Sequence, residues 1–220
     1  MIARDLISSD IFALRPTDTV GDALDCMQDL HLMHLPIAEK GEYYGVVSEI
    51  DLLDELPETL LSATHPEQHR SLYIAESSHF YDVLKAFSDY SIDIMPVVDT
   101  DQQLVGSIGI RNIMANLGHL FAVREAGDVL VVDIPPRSYS PAELGRIVES
   151  AGATLLSLYL NRNVEIERTQ ATLRVHAPQM ETLIAALTRF GYSISESYVH
   201  QQANDISRRN FDGLMKFLNV

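Results

Sequence analysis

Along the chain, apolar residues return at helical spacing in some stretches and in alternation in others, and the order of the two rhythms repeats. Val20, Ala23, Leu24 and Met27 fall at i, i+3, i+4 and i+7, the stripe of an amphipathic helix. Thr19 precedes them as a cap that Asp22, at the third helical position, is placed to answer. A short strand over Leu35 to Ala38, a turn at Glu39-Lys40-Gly41-Glu42 and a strand over Tyr43 to Ser48 come next, and Ser48 starts a further helix. The series then returns. It gives a helix over Phe80 to Phe87, strands over Ile94 to Val98 and Leu104 to Ile108 about a turn at Asp99 to Gln103, and a longer helix from about Ile110. Each repeat reads strand, helix, strand, strand, helix.

The echo holds residue by residue. Val20, Asp22, Ala23, Leu24 and Met27 recur as Phe80, Asp82, Val83, Leu84 and Phe87, and Leu35-Pro36-Ile37 as Met95-Pro96-Val97, at a constant offset of 60. Gly45-Val46-Val47-Ser48-Glu49-Ile50-Asp51 returns as Gly106-Ser107-Ile108-Gly109-Ile110-Arg111-Asn112 at an offset of 61, so one residue was added in the turn between the two strands. Two such halves cover one another's apolar faces and leave a cleft at their seam. Between them, the polar stretch from Pro57 to Arg70, with Pro57 and Pro66, reads as a linker.

The remainder has a different rhythm. The second helix of the second repeat is expected to stop near Glu125-Ala126-Gly127, and Asp128 to Ile134 is a strand dense in β-branched residues. Ser140-Pro141-Ala142-Glu143 opens a helix with a serine cap, and Leu144, Ile147, Val148 and Ala151 form its stripe. Gly152 ends it. A strand over Thr154 to Leu160, a turn at Asn161-Arg162-Asn163 and an alternating strand through Ala171, Leu173 and Val175 follow. Pro178 opens another helix with Met180, Leu183, Ile184 and Leu187 inward, Gly191 closes it, and Ile194 and Tyr198 mark a last strand. The order β-α-β-β-α-β is the ferredoxin-like plan, so the chain is α+β overall. Phe211, Leu214, Met215 and Leu218 share one helical stripe in the tail.

Composition narrows the function. The net charge of the 220 residues is −15, and residues 1–120 hold 20 Asp and Glu against 6 Lys and Arg. Without a basic stripe there is nothing to displace counterions from nucleic acid or to meet an anionic membrane. No window approaches the ~18 apolar residues of a membrane span, and the start lacks a signal pattern, so a cytoplasmic protein is expected. Cys26, the only cysteine, sits on the first helical stripe as a small buried residue and excludes internal disulfides. His65 and His69 at i, i+4 and His31 and His34 at i, i+3 have spacings known from metal sites, but Pro66 breaks the first pair and no third ligand accompanies either, so no metal is expected. There is no phosphate loop, nucleophile elbow or zinc-protease motif, and no enzyme is expected.

The apolar-Pro-apolar strand followed by Gly-apolar-apolar-Ser-x-x-Asp, present twice over about Ala3 to Met114, resembles the CBS (cystathionine β-synthase) domain pair. The resemblance implies a two-lobed regulatory module binding an adenosine-type ligand, such as AMP or S-adenosylmethionine, with no cofactor required. By matching position it implies Ser48 beside the phosphate or ribose and Asp51 on the ribose hydroxyls. Gly45, Pro36 and His34 are expected at the same cleft, with Asn112 as the weaker counterpart of Asp51. Ser48-x-x-Asp51 is equally a helix cap. Gly109 stands where the second repeat's hydroxyl belongs, so one full site is expected. The acidic lobe favours a nucleoside or monophosphate over ATP unless Arg4, Arg15, Lys40 or Arg111 lines the cleft.

The last part is similar to an ACT domain, and the whole layout resembles acetoin-utilisation-type CBS-domain proteins. Gly152 matches the glycine usual in ACT domains. The first loop, Ile134-Pro135-Pro136-Arg137-Ser138-Tyr139, lacks the glycine of an amino-acid site, which leaves Gly152 and Arg137 as weak candidates there. The expected divisions are 1–55 and 71–127 for the CBS repeats, 56–70 for the linker, 128–200 for the ACT-like domain and 201–220 for the helical tail. The expected function is a non-catalytic, homodimeric sensor acting on an unknown client protein; the alternative is an assembly module that binds no ligand.

Overall fold

The computed structural model describes residues 1–134, 139–163 and 168–199. The chain divides into two compact units, Met1–Asn116 and Leu117–Val220.

In the first unit, α1 (Val20–Leu30) is capped as its sequence requires. The Thr19 hydroxyl accepts from the Asp22 N–H at 3.1 Å and the Asp22 carboxylate accepts from the Thr19 N–H at 3.0 Å. Antiparallel β1 (His34–Glu39) and β2 (Glu42–Ser48) follow, then a single helical turn, α2 (Glu49–Leu52). The second repeat gives β3 (Ile74–Ala75), α3 (Phe80–Tyr90), β4 (Ile94–Val98), β5 (Leu104–Gly109) and α4 (Ile110–Leu120). Its sheet runs β3-β4-β5, with β3 parallel to β4 through Ile74 and Val97. In the first repeat that strand shrinks to one parallel bridge between Leu14 and Ile37, the residues 60 positions earlier.

The apolar stripes lie where their periods put them. Val20, Ala23, Met27, Leu35, Ile37, Val47 and Leu52 form one buried cluster, and Phe80, Val83, Ile94, Met95, Val97 and Ile108 are buried in the second repeat. Tyr43, Val46 and Val98 join the two repeats. Residues 57–63 of the expected linker pack on the first repeat. Leu61 is fully buried, and Val20 and Gly21 donate to the carbonyls of Thr59 and Pro57 at 2.9 Å. The start of the chain does the same for the second repeat, since Ala3 and Arg4 donate to Ser78 and Glu76 at 2.8 and 3.0 Å.

α1 and α3 both end on a left-handed residue that is not glycine, His31 (φ 53°) and Ser91 (φ 52°). Side chains other than glycine are strained there by roughly 1–2 kcal/mol, and part of that returns as entropy when glycine replaces them. Ser91→Gly, at an exposed position, is therefore expected to stabilise the protein by roughly 0.5–1 kcal/mol, measurable as a raised denaturation midpoint.

The second unit has β6 (Asp128–Ile134), α5 (Pro141–Ser150), β7 (Thr154–Asn163), β8 (Arg168–His176), α6 (Met180–Arg189) and β9 (Ser193–Tyr198). The antiparallel sheet runs β7-β8-β6-β9, the ferredoxin-like order. Alternate residues Leu130, Val132 and Ile134 share one core with Leu144, Ile147 and Val148 of α5 and Leu183 and Leu187 of α6, so both helices cover one face. Ser140 caps α5 by accepting from the Glu143 N–H at 3.2 Å.

Three local expectations change. Asn161 to Asn163 is not a turn but the end of β7, paired with Arg168 to Gln170. α6 starts at Met180, two residues beyond Pro178. α4 stops at Leu120 rather than near Gly127: the backbone turns left-handed at Ala122 (φ 52°), and the Arg174 guanidinium donates to the carbonyls that follow, to Ala122 at 3.0 Å and to Glu125 at 2.7 Å. The expected tail helix, and Arg137 with the loop around it, lie outside the described residues.

Candidate functional site

The seam between the repeats opens on the side of β2 and α2 into a cleft of roughly 280 Å³. Ser48 ends β2 and caps α2, its hydroxyl donating to the Asp51 carboxylate at 2.7 Å and accepting from the Asp51 N–H at 3.2 Å. The capping reading of Ser48-x-x-Asp51 therefore holds. It does not consume the aspartate, because only Oδ2 is engaged and Asp51 remains half-exposed in the cleft. Val46 and Leu72 supply apolar wall, and Tyr90 and Ile92 reach in from the second repeat.

Two histidines complete the polar lining. His34, the first residue of β1, brings its ring to the cleft, and His69 brings Nε2 within 3.7 Å of Asp51. The two line the same cleft although thirty-five residues separate them in the chain, a neighbourhood that no spacing motif signals. Among the described residues no group of three or more metal-ligating side chains converges.

Gly45 and Pro36 serve the cleft from outside its lining. Gly45 has φ +149°, and a Cβ there would stand 1.9 Å from the Pro66 carbonyl oxygen. Only glycine lets the turn Pro66–His69 lie on β2, which is what delivers His69. Pro36 is buried within β1. Behind the wall, the Tyr43 hydroxyl donates to the Leu72 carbonyl at 2.7 Å, and burial pushes its pKa well up.

Asn112 lies apart from Ser48 and Asp51, in a second cleft of roughly 470 Å³ shared with Gly109, Arg111, Asp10, Asp29 and Asp93. A Cβ at Gly109 would come within 2.9 Å of Ile11 Cδ1, so a hydroxyl like that of Ser48 has no room unless Ile11 moves. Of the four cations considered, Arg111 lines this second cleft, Arg4 pairs with Glu76 at 2.7 Å, and none lines the Ser48 cleft.

Asp93 lines the second cleft and reaches the first only through His34. One carboxylate oxygen accepts from the Met33 N–H and the other meets His34 Nδ1 at 2.6 Å. Burial disfavours its charged form, but the hydrogen bonds from His34 and Met33, with the histidine's charge, outweigh burial and hold the carboxyl below its usual range. Sequence reasoning missed Asp93, His69, Ser71, Tyr90 and Ile92. In the second unit Gly152, the weak amino-acid candidate, has φ +72° in the turn after α5, which is sufficient reason for glycine.

The model of the CBS domain matches residues 3–58 and 68–119, the two repeats that build these clefts. The chain carries a CBS domain pair. Among curated proteins, the pair is similar to homoserine O-acetyltransferase of Methanosphaera stadtmanae, 23% identical over 50% of this chain and 23% of that protein. It is also similar to the magnesium transporter MgtE of Thermus thermophilus, 27% identical over 48% of this chain and 23% of the transporter. The chain thus spans about a quarter of the length of these relatives. A CBS domain pair/ACT domain protein of Thermotoga maritima is a similar solved structure, with 21% identity, 53% of this chain and 96% of that chain covered and a TM-score of 0.48. Another, CBSX2 in complex with AMP, has 19% identity, 56% and 98% coverage and a TM-score of 0.47. Among the described residues no helix is long and apolar enough to cross a membrane.

Proposed function

We propose that this chain is a non-catalytic regulatory module whose CBS pair binds an adenosine-type ligand, a nucleoside or monophosphate, in the cleft of Ser48 and Asp51. The observation that carries this reading is the convergence of one half-exposed carboxylate and two histidines on a small cleft with apolar walls. An aspartate oxygen without donors of its own suits a sugar diol. The apolar wall suits a planar base. The size, at the lower end of ligand sites, and the lack of lysine or arginine in the lining weigh against a triphosphate.

The test is a thermal-shift panel on the full chain with AMP, ADP, ATP, S-adenosylmethionine and amino acids. Because a ligand that binds only the native state stabilises it, AMP or adenosine is expected to raise the melting temperature, and ATP to do so less. Silence from every adenine compound at millimolar concentration would leave the alternative, a module for assembly alone.

The signalling step in this proposal is a homodimer. Ile50 and Leu53 at α2 and Met114 on α4 are 77%, 65% and 63% exposed, an unusual density of large apolar side chains on short helical surfaces. A second copy covering them gives the ligand a pose to bias, by the difference of its affinity between two arrangements. Light scattering at micromolar concentration is expected to give twice the mass of 24.6 kDa, and Leu53→Glu to return it toward the monomer. A monomeric native chain would remove the dimer from the proposal.

A further inference from the structure

We infer that Asp93, a residue of the second repeat, fixes which nitrogen of His34 faces the Ser48 cleft, and so determines what the first repeat can recognise. An ionised carboxylate only accepts, so the 2.6 Å contact places the ring proton on Nδ1. His34 lines the cleft, and with Nδ1 committed to Asp93 the nitrogen left for a ligand is Nε2, which in the neutral ring is an acceptor. While the ring is neutral, the cleft then offers lone pairs from Nε2 and the Asp51 carboxylate rather than N–H groups, and it favours ligand edges that donate: sugar hydroxyls or an exocyclic amine.

The geometry is built for this purpose and not inherited from the repeat. Sixty positions before Asp93 stands Met33, and sixty after His34 stands Ile94, so the pair has no counterpart on the other side of the seam. Asp93 is itself anchored. Its second oxygen holds the Met33 N–H, one residue before His34, and its own carbonyl accepts from Ile110 at the start of α4 at 2.9 Å. The side chains of His34 and Asp93 are 19% and 16% exposed, so solvent competes little for the bond. Asp93 does not touch the Ser48 cleft; it is a positioning residue acting through His34, as a carboxylate behind a metal-bound histidine sets its tautomer.

The inference deepens the adenosine reading and rests on it only for the identity of the ligand. Two measurements separate them. In the full chain labelled with ¹⁵N-histidine, with His34 assigned by its loss in His34→Gln, the neutral ring is expected to carry its proton on Nδ1, and Asp93→Asn to shift it toward the Nε2–H form that free histidine prefers. A proton on Nε2 in the native chain overturns the inference, and this arm needs neither ligand nor a variant at Asp93. In calorimetric titration with AMP, Asp93→Asn is expected to weaken binding about fivefold, as the loss of one oriented hydrogen bond does, and to have no further effect once His34 is alanine. Equal losses in both backgrounds overturn it. Absence of AMP binding by the native chain would sink the adenosine reading instead, and the tautomer would still decide the role of Asp93.

Discussion

Gly45→Ala is expected to lower stability by about 3 kcal/mol or more and to abolish the thermal response to AMP. Two costs add at this position. The backbone at φ +149° is one that a Cβ-bearing residue adopts only under strain, of order 1–3 kcal/mol. The new methyl carbon would also lie 1.9 Å from the Pro66 carbonyl oxygen, which is backbone and cannot swing aside like the end of a side chain. Overpacking of this kind costs typically ~1–3 kcal/mol by itself. The structure relieves the clash by lifting the turn Pro66–His69 from β2, which carries His69 away from Asp51. Gly118→Ala is the control: a Cβ there meets nothing within 4 Å, and alanine in the interior of α4 is expected to stabilise by up to ~1 kcal/mol. Chemical denaturation of both variants checks the prediction. A Gly45→Ala protein as stable as the native chain would mean that the turn does not rest on β2.

Most of the fold was legible because its signals are local. Thr19 and Asp22 cap α1 from three residues apart, and the stripe Val20-Ala23-Met27 needs nothing but its own period to declare the buried face. The sixty-residue offset extended that reading to the second repeat, and even the strained helix ends at His31 and Ser91 obey it. What escaped the sequence depends on partners far away in it. The end of α4 comes at a left-handed Ala122 whose carbonyl is held by Arg174, some fifty residues later, and no glycine stands at that position to announce it. Asn161 and Arg162 look like a turn because they are polar, but β8 stands beside them and an edge strand tolerates polar residues. The turn Pro66–His69 has no apolar period at all; its place on β2 is made by a glycine twenty-one residues earlier.

The candidate site divides along the same line. Ser48 and Asp51 were legible, since a motif confined to one turn keeps its geometry in any fold. His69, Tyr90 and Ile92 were not, because only the closure of the two repeats brings them within reach. The one signal for His69 in the sequence, its spacing from His65, pointed to metal chemistry. His65 instead has left-handed backbone at φ 56°, immediately before Pro66. Asp93 had a signal that repeat alignment makes visible: a carboxylate where the first repeat has Met33. Gly109 and Asn112 are departures of the same kind, visible in the repeat alignment and lining the other cleft.

Asp51→Ala is expected to remove most of the AMP-induced rise in melting temperature, while Asn112→Ala leaves it intact. Hydrogen bonds from ligand hydroxyls to an ionised carboxylate contribute roughly 1.5–3 kcal/mol, which is a weakening of roughly ten- to a hundredfold. Stabilisation by a ligand at a hundred times its dissociation constant is about 2.7 kcal/mol, and a hundredfold weaker ligand at the same concentration retains only about 0.4 kcal/mol. The unliganded protein should change much less. Asp51 is 55% exposed, and the capping bond from its backbone N–H to the Ser48 hydroxyl survives in the alanine variant, so losing the bond that its carboxylate accepts from Ser48 is expected to cost only about 0.5–1 kcal/mol. Measuring both melting temperatures without AMP therefore separates ligand contact from capping. Asp51→Asn sharpens the distinction, because it keeps an oxygen to accept the Ser48 hydroxyl and removes the charge. Asn112 shares its cleft with three aspartates against one arginine, Arg111, a net negative lining that disfavours an anionic monophosphate. Equal losses at Asp51 and Asn112 would mean that the ligand spans or prefers the other cleft, and the assignment of the site to the first repeat would fall.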